Sequence, residues 1–146
     1  MLARPTRSRR RATSPVRGAC AYTGWMADVY ELFQRGTALL EAGDHHQAAI
    51  PLSRARDLAP DKSSIREALG RALFHAQRYE EAAAEFAAVV EQAPTNDYAL
   101  FCLGRCLQQL GRHAEARRPL AQAAGLRPER GDYRVYRDRA RAAAAR

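Results

Sequence analysis

The 146-residue sequence predicts an all-α fold, a right-handed superhelix of three helical hairpins closed by a capping helix. Three observations carry this prediction. Sliding the chain against itself by 34 residues aligns three ungapped units, 29–62, 63–96 and 97–130, with a remnant at 131–146. A self-match at that period is the mark of stacked supersecondary units. The aligned columns are small or apolar: Gly36, Gly70 and Gly104; Leu39, Leu73 and Leu107; Ala48, Ala82 and Ala116; Leu52, Phe86 and Leu120. Each unit ends at a proline, Pro60, Pro94 and Pro128, which disfavours helix in the residue before it.

The elements follow in order. Residues 1–27 form a basic leader in which Arg mixes with Pro5 and Pro15 and no apolar period is visible, so it is expected to be disordered, with Met26 a candidate for the true start. The domain proper is expected over 28–146, with helices near 29–42, 46–58, 63–76, 79–92, 97–110 and 114–126. Within each hairpin a mid-helix Gly removes side-chain bulk so that the partner helix can approach, and Leu or Phe fills the seam. Gly43 and Gly111 mark helix stops inside their units. Pro51 and Pro119 fall early in second helices, where each removes one backbone hydrogen bond. Over 131–146, Tyr133, Tyr136 and Ala140 share one stripe while Arg134, Arg137, Asp138 and Arg141 lie off it, the pattern of a helix that caps a solenoid. No such cap precedes Val29, which leaves a flank at Tyr30, Leu32, Phe33 and Leu40 for a partner, a second copy or the leader to cover.

With 47% apolar and 27% charged residues the chain reads as one globular domain, and it holds no apolar run of about 18 residues that could span a membrane. Three cysteines cannot make a multi-bridge framework, so a reducing, cytoplasmic setting is the simpler reading. The net charge of +8 comes from 23 Arg and one Lys and is unevenly spread. Residues 1–25 carry six Arg and no acid, 28–96 carry 7 bases against 11 acids, and 97–146 carry 11 against 5.

The repeat resembles the tetratricopeptide repeat over 29–130, most clearly through Leu69-Gly70, Tyr79, Ala82, Phe86 and Pro94 of the middle unit. Departures are Arg35 before Gly36, Arg66 in place of a large apolar residue, and Gln77 where Gly is usual. The resemblance implies a concave groove, lined by the first helix of each hairpin, that holds an extended peptide or a partner helix. Its first-helix positions not used for packing include Tyr30, Phe33, Thr37, Glu67, Arg71, Tyr98, Phe101, Arg105 and Arg139. Stepped guanidinium groups suit carboxylates, and aromatic rings beside them add apolar contact at small entropic cost. The expected partner is therefore a protein or peptide segment, with acidic groups, recognised by an adaptor. The Lys and Asn set with which chaperone-tail binders of this family hold a terminal carboxylate is missing, since Lys62 ends a hairpin and Asn96 is a linker residue.

Competing chemistry finds little support. Cys102, Cys106, His75 and His113 have no metal-clip spacing, and Cys106 shares a column with Ala38 and Ala72, a core position. His45 and His113 share a column with Tyr79, the position of a ring that closes the hairpin. No nucleophile with an acid or base partner and no phosphate-cradling loop can be read, so no enzymatic activity and no cofactor or metal is expected. Two alternatives remain open at this level: a nucleic-acid surface in the Arg-rich 97–146 region, and a self-assembling scaffold joined through the first hairpin.

Overall fold

The computed structural model describes the backbone of residues 17–146 and the side chains from Gly24 onward. Seven helices follow one another: α1 Arg17–Glu41, α2 His45–Leu58, α3 Ser63–His75, α4 Tyr79–Gln92, α5 Asp97–Gln109, α6 His113–Leu126 and α7 Gly131–Ala144. There is no strand among the described residues. Each helix packs on the next in line, so α1 and α2, α3 and α4, and α5 and α6 form three stacked hairpins with α7 laid against the last. From α2 onward the boundaries lie within one residue of those expected for the hairpins, and they repeat at the 34-residue step.

The seam of each hairpin is built as the small columns require. A Cβ placed on Gly36 or Gly104 would lie 2.4 Å from Leu52 Cγ or Leu120 Cγ, and one on Gly70 would lie 2.8 Å from the Phe86 ring. Leu52, Phe86 and Leu120 are accordingly buried against backbone, with Ala48, Ala82 and Ala116 beside them. Hairpin turns close by reverse hydrogen bonds: Asp44 N–H donates to Leu39 O at 2.9 Å, Arg78 N–H to Leu73 O at 2.8 Å, and Arg112 N–H to Leu107 O at 2.9 Å. The residue before each donor has a positive φ, 85° at Gly43, 62° at Gln77 and 74° at Gly111. Pro51 and Pro119 are both accommodated inside helices with their rings buried.

The cap behaves as the stripe predicts. Tyr133 and Ala140 are fully buried, Tyr133 stacks on Phe101 with centroids 4.5 Å apart, and its hydroxyl donates to Asp97 Oδ2 at 2.8 Å. That hydroxyl is pushed up to a pKa of about 12, first by burial and then by the carboxylate it touches.

The start of the array departs from expectation. The helix expected from residue 29 begins at Arg17, because after Pro15 no proline or turn interrupts the chain until Gly43. Trp25, assigned above to a disordered leader, packs one helical turn before Val29 against the cluster of Val29, Ala55, Ala59 and Ile65. The leader boundary at residue 27 therefore falls inside α1, and the rest of that expectation, residues 1–16, lies outside the described residues. Nor is the first flank a bare apolar face: Val29 and Leu40 are buried, Leu32 and Phe33 are half-buried in the core, and only Tyr30 stands out at 61% exposure.

Arg66, an oddity in the sequence, has a partner in Glu85. This carboxylate is only 5% exposed and accepts from Arg66 Nη1 at 2.9 Å and from Arg56, tying α2, α3 and α4 together. Arg66 Nε also donates to Pro60 O at 2.8 Å, so the guanidinium braces the turn ahead of its own helix.

Candidate groove between α3, α5 and α7

The stacking of hairpins brings one face of α3 beside one face of α5, and a cavity of about 170 Å³ lies between them. Phe74, Phe86, Tyr98 and Phe101 supply its aromatic walls, and Arg71, His75 and Arg105 its charged or titratable ones. No carboxylate lines it. Arg105 reaches across the walls: its Cζ lies 5.4 Å from the Phe74 centroid, 5.9 Å from Phe101 and 4.0 Å from Tyr136 of the cap. Arg139 adds a second guanidinium over Tyr136 at 5.0 Å, which extends the basic face onto α7. Cation over ring holds these long side chains in place without neutralising them, since the ring offers a quadrupole and no counter-charge.

Four of the nine expected positions thus meet at one cavity: Arg71, Tyr98, Phe101 and Arg105, with Arg139 joined through Tyr136. The other four do not. Tyr30 accepts a hydrogen bond from Gln34 Nε2 at 2.7 Å on α1, and Thr37 Oγ1 donates to the carbonyls of Phe33 and Gln34, a bond back into its own helix. Phe33 belongs to the hydrophobic core. Glu67 Oε1 accepts from Asn96 Nδ2 at 2.6 Å, while Asn96 Oδ1 caps α5 by accepting from Ala99 N–H. Asn96 is therefore a bridge between hairpins rather than a linker residue, a role that a capping residue just ahead of a helix could have signalled.

Neither Phe74 nor His75 is among the residues expected in the groove, because their columns hold Leu40 and Glu41 in one unit and Gln108 and Gln109 in another and show no pattern. His75 stacks on His45 with centroids 4.6 Å apart, and Phe74 meets Tyr79 edge-on at 5.3 Å. Burial first, then His45, Arg71 and Arg105, hold the His75 pKa below the usual imidazole value. The two thiols are protonated at neutral pH: burial pushes Cys102 up to about 11 and Cys106 up to about 12. Cys106 is fully buried in the core, as its column implies, and Ala38 of the same column is exposed because no described helix packs ahead of α1.

A chain of stacked helical hairpins with an open, aromatic and cationic face is an α-solenoid of the kind that presents a binding groove. Two tetratricopeptide repeat family models match it, over residues 33–97 and 73–143, and the chain belongs to that family. Among solved structures it is similar to the first tetratricopeptide domain of Spaghetti (RPAP3) bound to an HSP90 peptide, with a TM-score of 0.76, 16% identity, and 82% of this chain and 95% of that one covered. It is similar to the Arabidopsis OM64 tetratricopeptide domain, TM-score 0.75 and 18% identity over 80% of this chain and 97% of that one. Both likenesses are of fold. MamA of strain MSR-1 is 29% identical with a TM-score of 0.71, and the match covers 77% of this chain but only 64% of MamA, so the chain spans less than two thirds of that relative. Comparison with the curated proteins by sequence finds no significant match. No helix among the described residues is long and apolar enough to cross a membrane.

Proposed function

We propose that the chain is a non-enzymatic interaction module that holds an acidic segment of a partner protein against α3, α5 and α7. One observation carries the reading: Arg71 and Arg105 flank an aromatic cavity that has no carboxylate in its lining. Unpaired guanidinium groups beside apolar walls suit a segment in which acidic side chains surround an apolar one, with Arg pairing the carboxylates and the rings taking the apolar group. Arg139 extends the same contact toward the cap. Family membership supports the reading, as does the HSP90 peptide held by the Spaghetti domain. Binding of a defined acidic peptide is expected to fall at least tenfold in an Arg71→Glu/Arg105→Glu double variant, about the cost of losing one charge-assisted contact. Equal affinity of variant and wild type would show that this face is not the site.

A second reading has its own observation. Arg117, Arg118 and Arg141 line a cleft on α6 and α7 with only alanines between them. If that cleft serves nucleic acid, retention on a polyanion will fall steeply with salt, persist when residues 1–16 are removed, and disappear in Arg117→Glu/Arg141→Glu.

A further inference from the structure

We propose that His75 is a third cationic contact of this groove, so that an acidic segment bound there takes up a proton on the imidazole and is held more tightly in mildly acidic solution. The inference rests on the groove reading above. His75 ends α3 and lines the same cavity as Arg71 and Arg105. The titratable and charged groups around it can be taken helix by helix. From α2 comes His45, stacked on it at 4.6 Å, and from its own helix comes Arg71. From α5 come Arg105 and, further along the cavity wall, Tyr98 and Cys102, whose pKa values burial pushes up so that both are neutral across the relevant range. From α4 comes Tyr79, whose ring meets Phe74. Glu67, two turns earlier on α3, is held by Asn96; its charge acts on Tyr98 and Cys102, but it does not line the cavity.

With no carboxylate in the lining, the empty groove is a place where an imidazolium is unwelcome. Burial opposes the charge first, and a second imidazole and two guanidinium groups oppose it further. A carboxylate drawn in by Arg71 and Arg105 supplies the missing counter-charge and makes the protonated ring favourable. Linkage then works in both directions: a ligand that raises the proton affinity of His75 is itself bound better by the protonated form. His46 is exposed on α2 and His113 lies on α6, and neither lines the cavity, so the effect is specific to His75 and its stacked neighbour.

Fluorescence anisotropy with a labelled Glu-Glu-Leu-Glu-Glu peptide tests this on the full chain, at constant ionic strength and at about pH 7.5 and about pH 5.5, where its glutamates stay ionised in both conditions. Wild type is expected to bind about three- to tenfold tighter at the lower pH, since a one-unit rise in an imidazole pKa is worth a factor of ten. His75→Gln is expected to lose that difference, and the imidazole proton resonance of His75 is expected to titrate at higher pH in the saturated complex than in the free protein. Equal wild-type affinity at the two pH values, or an unchanged pH dependence in His75→Gln, would overturn the linkage and leave the groove reading standing. Absence of binding at both pH values, or binding indifferent to Arg71→Glu/Arg105→Glu, would overturn the groove reading and the linkage with it.

Discussion

Gln77 has φ 62° at the turn where the neighbouring units use Gly43 and Gly111. A side chain in that region is crowded against the following carbonyl, so Gln77→Gly is expected to stabilise the fold by about 0.5–1 kcal/mol, read as a raised urea midpoint at constant slope. The mid-helix glycines respond the other way. Gly70→Ala would bring a methyl to 2.8 Å from the Phe86 ring, and overpacking of this sort costs about 1–3 kcal/mol. Glu85 carries a different risk, because its carboxylate is buried between two guanidinium groups. Glu85→Ala leaves Arg56 and Arg66 facing an apolar seam, but both reach solvent, so a loss of about 1–2 kcal/mol is expected, short of the full cost of an orphaned buried charge. His75 sets an acid limit. Its folded pKa lies below its unfolded one, so as the solution is acidified the folded state binds fewer protons than the unfolded state. The stability it contributes is therefore complete above the unfolded value near 6.5 and declines as pH falls below it. Thermal unfolding of the ligand-free chain between about pH 7.5 and about pH 5 should show this decline, and His75→Gln should flatten it.

At the scale of helices, the two ends of the array are secured by different means. Helix α7 is fastened by Tyr133, which is stacked on Phe101 and hydrogen-bonded to Asp97, while Arg127 Nε stands 3.5 Å from the same carboxylate. Tyr133→Ala should cost about 3–5 kcal/mol, and deletion of α7 should expose Leu100, Ala123 and Ala124 and cause aggregation visible by light scattering. Helix α1 is fastened in part by Trp25. A chain beginning at Met26 loses Trp25 from the cluster of Val29, Ala55, Ala59 and Ile65, and burial of a large side chain is worth about 1.5–3 kcal/mol. Since the Trp25 ring is half-buried, a loss at the low end of that range is expected in denaturant unfolding of the shortened chain. Equal stability of the two chains would mean that the helix before Met26 contributes nothing to the fold.

For the whole molecule, the repeat register shows how the stack ends. Glu31 and Arg35 occupy the columns of Ile65 and Leu69, both buried in the middle unit. At the other end Arg117 stands in the column of buried Ala49 and Ala83, and Arg141 in that of buried Leu73 and Leu107. The surfaces that interior hairpins use to stack thus carry charges at both ends of the described array, and a helix packed on them would have to bury those charges. Self-association through an apolar first flank loses its basis. Charge contacts between copies are screened by salt beyond about 8 Å at physiological ionic strength, so a monomer is expected by light scattering at and above that salt. A dimer that resists salt would refute this.

The sequence by itself determined the class of fold, the hairpin boundaries from α2 onward and the cap, because each follows from local rules: a 34-residue period, small residues where helices cross, and turn residues where they stop. It also placed Arg71, Tyr98, Phe101 and Arg105 on first helices, since a solenoid converts column identity into surface position. What only the tertiary structure decided are the relations between columns. Glu85 meets two arginines from other helices, Asn96 joins Glu67, Trp25 packs against the cluster of Val29, Ala55, Ala59 and Ile65, and Phe74 and His75 enter a cavity with residues of the next hairpin. Such contacts depend on how one hairpin is rotated against the next, a quantity set by the summed packing of many side chains rather than by any residue's place in the repeat.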